Sequence, residues 1–177
     1  MPINRLNHAV LYVRDIARSV AFYRDLLGFV PIETMVFPGQ AAFLRAAGST
    51  NDHDLGLFQV GAHADDSPAG RTSVGLYHLA WELDTLAELE ELAGRLAEAG
   101  ALVGASEHGT TKSLYARDPD GLEFEVAWIV PADQLDEVGP STRGVAPLDF
   151  AAARARYGAQ TQGGVGISRP AAAGLTP

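Results

Sequence analysis

Gly75-Leu76-Tyr77-His78-Leu79-Ala80-Trp81-Glu82-Leu83 reads as a short apolar strand with one imidazole in its middle. Seventy residues earlier, Leu6-Asn7-His8-Ala9-Val10-Leu11-Tyr12-Val13 follows the same plan, with His8 in the matching place. A repeat of this kind sets the architecture before any single residue does. After the first strand, expected over 5–13, Asp15 can cap a helix over 16–27, where Ile16, Val20, Tyr23 and Leu27 share a face. Gly28 suits the left-handed position that ends it. Strands are expected at 29–36, 40–46 and 54–60, with turns at Pro38-Gly39 and Gly48-Ser49-Thr50-Asn51.

The strand at 75–83 opens the same series again. Thr85 and Glu88 form a capping box, and Leu86, Leu89, Leu92 and Leu96 give a helix over 85–98 that Gly100 ends. Strands are expected at 102–108, 111–117 and 122–129, the last preceded by the turn Asp118-Pro119-Asp120-Gly121. Each module is therefore strand, helix and three strands. A lone module has an open sheet with one face covered by its helix. The expected fold is α+β: one domain over 4–130, with modules at 4–60 and 74–130 and a linker at 61–73. Its two sheets would form an open-sided mixed β barrel around a cavity. The linker could instead be a flap at the cavity mouth. Residues 131–177 read as a tail, with one short helix within 147–157 and a disordered Gly-, Ala- and Pro-rich last twenty residues. A helix there could also dock on a partner subunit.

Composition narrows the chemistry. The 177 residues are 47% hydrophobic and 20% charged, which is ordinary for a soluble globular chain. No apolar run reaches the roughly 18 residues of a spanning helix, and no secretory signal is expected at the N-terminus. The absence of cysteine removes disulfides, a thiol nucleophile and thiolate ligands, and is in keeping with the cytoplasm. A net charge of −9 argues against a nucleic-acid partner.

Strand alternation sorts the remaining candidates. Ala9, Leu11 and Val13 would face the first helix, leaving His8 with Val10 and Tyr12 on the other face. Leu79, Trp81 and Leu83 would face the second helix, leaving His78 with Ala80 and Glu82. Leu122, Phe124 and Val126 do the same in the last strand, so Glu123 and Glu125 point away, and Glu125 lies deeper in the apolar run. A lone strand histidine is ordinarily a core residue. Two at matched positions of a repeat, with an inward glutamate, make a metal site the better reading. Two imidazoles and a carboxylate with open positions suit non-haem Fe(II), and could also hold Zn²⁺, Ni²⁺ or Mn²⁺.

The paired modules and Asp118-Pro119-Asp120-Gly121-Leu122-Glu123-Phe124-Glu125 resemble the vicinal oxygen chelate superfamily over about 4–130. That superfamily holds glyoxalase I, extradiol ring-cleaving dioxygenases and the bleomycin- and fosfomycin-resistance proteins. The resemblance implies metal ligands at His8, His78 and Glu125. Leu122 departs from the Asn often found in the turn. The run from His108 through Tyr115 to Gly121 is similar to the end of extradiol catechol dioxygenases, which implies that His108 and Tyr115 contact substrate. Asn51-Asp52-His53-Asp54-Leu55 resembles the segment carrying their acid–base histidine, here His53. It lies 25 residues before His78, farther than usual, in keeping with the long linker. His63, within the polar linker, reads as solvated or part of a flap.

Glyoxalase I-type sites add a fourth ligand, an acid on the last strand of the first module. Pairing Leu57 with Glu125 puts leucine at that place, and no Glu lies in 54–60. Three ligands leave room for both oxygens of a catechol and for dioxygen. The resemblance therefore implies an Fe(II) extradiol dioxygenase, of the kind that serves aromatic catabolism. Open-sided sheets and the tail point to a homodimer, with a monomer whose two modules close on each other as the alternative. Two alternatives stand beside it. One is a glyoxalase-like isomerase or epimerase using Zn²⁺ or Ni²⁺. The other is a non-catalytic binding or resistance protein of the same fold.

Overall fold

A computed structural model describes residues 2–3, 5–70, 72–135 and 145–164. The first module runs β1 (Ala9–Val13), α1 (Ile16–Leu27), β2 (Val30–Phe37), β3 (Ala41–Arg45) and β4 (Leu55–Gln59). The second runs β5 (Leu79–Glu82), α2 (Leu86–Glu98), β6 (Leu102–Glu107), β7 (Thr111–Arg117) and β8 (Glu123–Ile129). The class is α+β with two βαβββ modules, as the repeat implies. The first sheet has the order β1-β4-β3-β2, and in the second β5-β8-β7-β6 repeats it. In each, the opening strand pairs in parallel with the last strand of its own module.

Local signals account for the helices. Asp15 Oδ1 accepts the Arg18 N–H at 3.0 Å, and Gly28 ends α1 at φ 72°, donating its N–H to the Arg24 carbonyl. The Thr85–Glu88 capping box is complete in α2. Leu86, Leu89, Leu92 and Leu96 are all buried and lie against β7 and β8, whose Leu114, Ala116, Phe124, Val126 and Trp128 are buried as well. Each large apolar side chain of this kind contributes about 1.5–3 kcal/mol of burial. In the first module Leu11, Val13, Ile16, Tyr23, Leu44, Leu55 and Leu57 form the equivalent core. The opposite face of β1 keeps Val10 and Tyr12 exposed, as alternation requires.

The two histidine strands are shorter than expected. Pairing begins at Ala9 opposite Leu55 and at Leu79 opposite Phe124. His8 and His78 each sit one residue before the first paired position, so the repeat holds even in this detail.

Among the described residues, contacts divide the chain into two compact units. One is Met1–Pro68 with Asp118–Leu122, and the other is Ala69–Arg117 with Glu123–Pro177. The turn of the second module thus belongs to the first unit. Arg14 holds it, through its backbone N–H to Asp120 Oδ2 at 3.0 Å and its guanidinium to Asp120 Oδ1 at 3.2 Å. Tyr23 donates its hydroxyl to Asp118 Oδ2 at 3.2 Å, and Arg18 donates to the Pro119 carbonyl at 2.5 Å. Burial pushes the Tyr23 phenol well up, and the Asp118 and Asp120 charges add to it. The same Arg14 guanidinium donates to the Ala64 carbonyl and to Asp66, which fastens the first half of the linker.

The tail reading needs correction. The short helix exists as α3 (Phe150–Tyr157), capped by Asp149 and packed on α2 of its own chain. Before it, β9 (Ala146–Pro147) adds a fifth strand beside β6. Residues 158–164, expected to be disordered, are built into the second unit. Ala87 donates its backbone N–H to the Ala159 carbonyl, Gly163 donates to Asp84, and Gly164 donates to Ile129. The glycine content has a packing reason here. A Cβ on Gly163 would come within 2.4 Å of the Ile129 carbonyl oxygen and 2.5 Å of Trp128 Nε1. The rest of the expected disorder, 165–177, lies outside the described residues, as does 136–144. No helix among the described residues is long and apolar enough to cross a membrane.

Candidate functional site

In the first unit His8 is exposed, and its Nδ1 lies 2.7 Å from Asn7 Oδ1. An amide oxygen only accepts, so the proton sits on Nδ1 and the Nε2 lone pair is left for a ligand. His53 stands beside it, with ring centroids 4.5 Å apart. Its Nδ1 is 3.1 Å from the Asp52 carboxylate, which likewise leaves Nε2 free, and its ring meets the edge of Phe43 at 5.0 Å.

Asp54 builds the loop that carries His53. Its carboxylate accepts the Ala46 N–H at 2.8 Å, the Ser49 hydroxyl at 2.8 Å and the Asn51 amide at 2.7 Å. Burial pushes this carboxyl up, but those three bonds and the nearby His53 outweigh it and hold the group below its ordinary value. Such a group stabilises the fold above its unfolded pKa of about 3.9, and the contribution disappears as pH falls through the lower folded value. Asp54→Asn is expected to cost about 1–3 kcal/mol at pH 7. Urea unfolding should show a smaller loss at pH 3. An equal loss at both values would show that the carboxylate charge is not what holds the loop.

The strand ladders locate the counterpart of Glu125 in the first module. Val10 pairs with Gly56, and Ala80 pairs with Glu125. Counted from the two histidines, the matching position is therefore Gly56 rather than Leu57. A shift of one residue changes the face of a strand. Leu57 is fully buried in the core, whereas Gly56 shares the face of Val10. A Cβ on Gly56 would lie 3.2 Å from Phe43 Cε1 and 3.4 Å from Val10 Cγ2. The Phe43 ring and Val10 thus crowd the position of a fourth ligand, and no carboxylate stands there.

The second unit gathers the other candidates. His78 Nε2 lies 3.1 Å from Glu125 Oε2. Tyr115 is the cross-strand neighbour of Glu125, and its ring stands 5.7 Å from that of His78. His108 Nε2 is 3.0 Å from the Tyr115 hydroxyl. Burial raises the Tyr115 phenol, and the Glu125 carboxylate, which accepts from its hydroxyl, raises it further. The His78 Nδ1 is buried and has no hydrogen-bond partner.

His78 and Glu125 supply donor types that a divalent cation takes. Their 3.1 Å spacing is that of an ion pair, and it leaves both donor atoms side by side. Among the described residues, no group of three or more His, Asp or Glu is gathered tightly enough to hold an ion. The structure thus pairs His78 with Glu125 and His8 with His53, in separate units. His63 is exposed in the linker. The first half of that linker helps line a cavity of about 330 Å³ in the first unit, with Val10, Tyr12 and Arg14 on its wall.

Asn7 and Asp52 were not singled out from the sequence, although a signal was there. Each precedes a candidate histidine as an Asn-His or Asp-His pair, and a short polar side chain can reach its neighbour's Nδ1. Phe43 and Gly56 gave no such signal, because their role depends on strand register.

Two βαβββ modules, each with a histidine just ahead of its opening strand, make up the described fold. The family model of the glyoxalase/bleomycin resistance protein/dioxygenase superfamily matches residues 5–126, and the chain belongs to that superfamily. Catechol-2,3-dioxygenase of Bacillus subtilis strain 168 is 31% identical over 121 residues, which cover 68% of this chain and 40% of that protein. Lactoylglutathione lyase of Neisseria meningitidis serogroup A is 28% identical over 124 residues, 68% of this chain and 88% of the lyase. A solved glyoxylase/bleomycin resistance protein/dioxygenase domain from Frankia sp. EAN1pec shares the fold with a TM-score of 0.59 at 23% identity, covering 71% of this chain and 92% of that one. The match thus spans only two fifths of the dioxygenase, and the relatives include both oxygenases and lyases.

Proposed function

We propose that the protein is an extradiol ring-cleaving dioxygenase that uses a non-haem Fe(II) held by His8, His78 and Glu125. The observation that carries this reading is the contiguous series His108, Tyr115, Glu125 and His78 in the second unit. It sets a phenol and an imidazole directly beside a ligand-type pair, where a catechol would need hydrogen-bond partners for its oxygens. The crowding around Gly56 supports three ligands rather than four.

Bound Fe(II) would supply a Lewis acid for the diol hydroxyls and the redox capacity that oxygen chemistry needs. The chain's own residues would do the rest. Tyr115 and His108 would hold the substrate oxygens and fix the ring's orientation, for which small misplacements are costly. His53, with Nδ1 engaged by Asp52, would receive and return a proton at Nε2. Asn7 would keep His8 in the ligand tautomer. Both atoms of O₂ enter the product, and the ring opens beside the diol to a hydroxymuconic semialdehyde.

A second reading, a metal-dependent isomerase or lyase, is favoured by one observation. The match covers 88% of the lyase but only 40% of the dioxygenase. Anaerobic loading with Fe(II), Mn²⁺, Zn²⁺ or Ni²⁺, followed by oxygen uptake on a catechol panel, separates the two. The dioxygenase reading expects oxygen uptake and a yellow product with Fe(II) and none with Zn²⁺. Turnover of a hemithioacetal with Zn²⁺ or Ni²⁺, without oxygen uptake, would establish the second reading.

A further inference from the structure

Lys112 is the one charged side chain on β7 that has no accessible surface. Burying an ammonium is costly unless every proton finds a partner. Its Nζ lies 2.7 Å from Glu107 Oε1, 3.3 Å from the Gly109 carbonyl oxygen and 4.7 Å above the ring of Tyr157. Glu107 Oε1 also accepts the Gly109 N–H at 2.9 Å. One ammonium therefore ties both ends of the turn that carries His108. That turn is closed further by the His108 N–H to the Thr111 carbonyl at 3.0 Å. The C-terminal segment holds the same place twice. Ala146 of β9 pairs with Glu107, and Tyr157 of α3 covers the ammonium. Alternation puts Lys112 on the opposite face of β7 from Tyr115, so it can act on His108 only through the turn.

We propose that Lys112, clamped between Glu107, Gly109 and Tyr157, is a positioning residue that fixes the 107–111 turn so that His108 Nε2 meets the Tyr115 hydroxyl. The C-terminal segment is then a working part of the site, through Ala146 beside Glu107 and Tyr157 over the ammonium. The catalytic importance of His108 rests on the dioxygenase reading, but the placement of its ring does not.

The test is a ¹⁵N NMR spectrum of the histidine rings at fixed pH, in the metal-free full chain, for wild type, Lys112→Met and Lys112→Arg. Wild type should show His108 ring nitrogens displaced from the averaged values of a free imidazole by the Tyr115 contact. Lys112→Met should shift the His108 ring nitrogens toward the averaged values of a free imidazole, leaving His53 and His78 unchanged, and Lys112→Arg should restore most of the shift. In the Fe(II) protein kcat should fall about tenfold in Lys112→Met, with a smaller change in KM. A folded Lys112→Met protein with unaltered His108 nitrogens would overturn the proposal. If that variant does not fold, Tyr157→Leu decides: a shift at His108 in the same direction supports the proposal, and none overturns it. The ring spectrum reads the same whether or not catechols are cleaved, so failure of the dioxygenase reading would show only in the kinetics.

Discussion

Replacing His78 by alanine is expected to abolish metal retention and ring cleavage while leaving the fold in place. The ring sits at the start of β5 and approaches Glu125 at 3.1 Å. Loss of a group that merely supports a ligand costs about 10–100-fold in metal affinity or activity, so loss of the ligand itself should exceed that range. Stability should change little. The His78 Nδ1 is buried without a hydrogen-bond partner, so truncation removes an unsatisfied polar atom together with ring contacts to Tyr77 and Tyr115. The checks are bound metal per chain, kcat/KM on the best catechol and a urea melt. Wild-type metal content with wild-type turnover would sink the ligand assignment. His8→Ala should behave alike if both histidines bind one ion.

The largest expected stability effect is at Trp128. Its side chain is completely buried, its ring lies 5.5 Å from Tyr157, and its Nε1 donates to the Thr161 carbonyl at 3.1 Å. Trp128→Ala is expected to cost about 3–5 kcal/mol, a large share of the 5–15 kcal/mol available to a typical domain. It should also free the 158–164 segment, which limited proteolysis would detect as a new early cut. Trp128→Phe keeps most of the packing but loses the N–H donor, so about 1–3 kcal/mol is expected. A loss below 1 kcal/mol in Trp128→Ala would mean that the segment is not anchored as described.

Where signals were local, sequence and structure agree closely. α1 spans the expected 16–27 because Asp15 and Gly28 act on the backbone next to them. β7 spans 111–117 because alternation and the flanking turns bound it. The strands expected at 5–13 and 75–83 shrink to Ala9–Val13 and Leu79–Glu82, since a parallel ladder begins only where its partner does. The Gly-rich stretch at 158–164 read as disordered because composition reports chain entropy. It says nothing of a tryptophan that needs a backbone without side chains beside it. Tyr115 and Glu125 were legible as neighbours because they lie on adjacent strands of one hairpin, and His108 because the turn that opens β7 carries it. The proximity of His8 and His53 was not derivable from spacing, because a 45-residue excursion separates them.

By itself, then, the sequence determined the repeat, its helices and the face of the last strand on which Glu125 stands. Those follow from hydrogen bonds and periodicities that reach only a few residues. Only the tertiary structure decided that Gly56, not Leu57, corresponds to Glu125, and that Phe43 crowds the space there. It also decided that Lys112 is buried beneath Tyr157. These depend on register between strands and on contacts between distant segments, where a shift of one residue reverses the outcome.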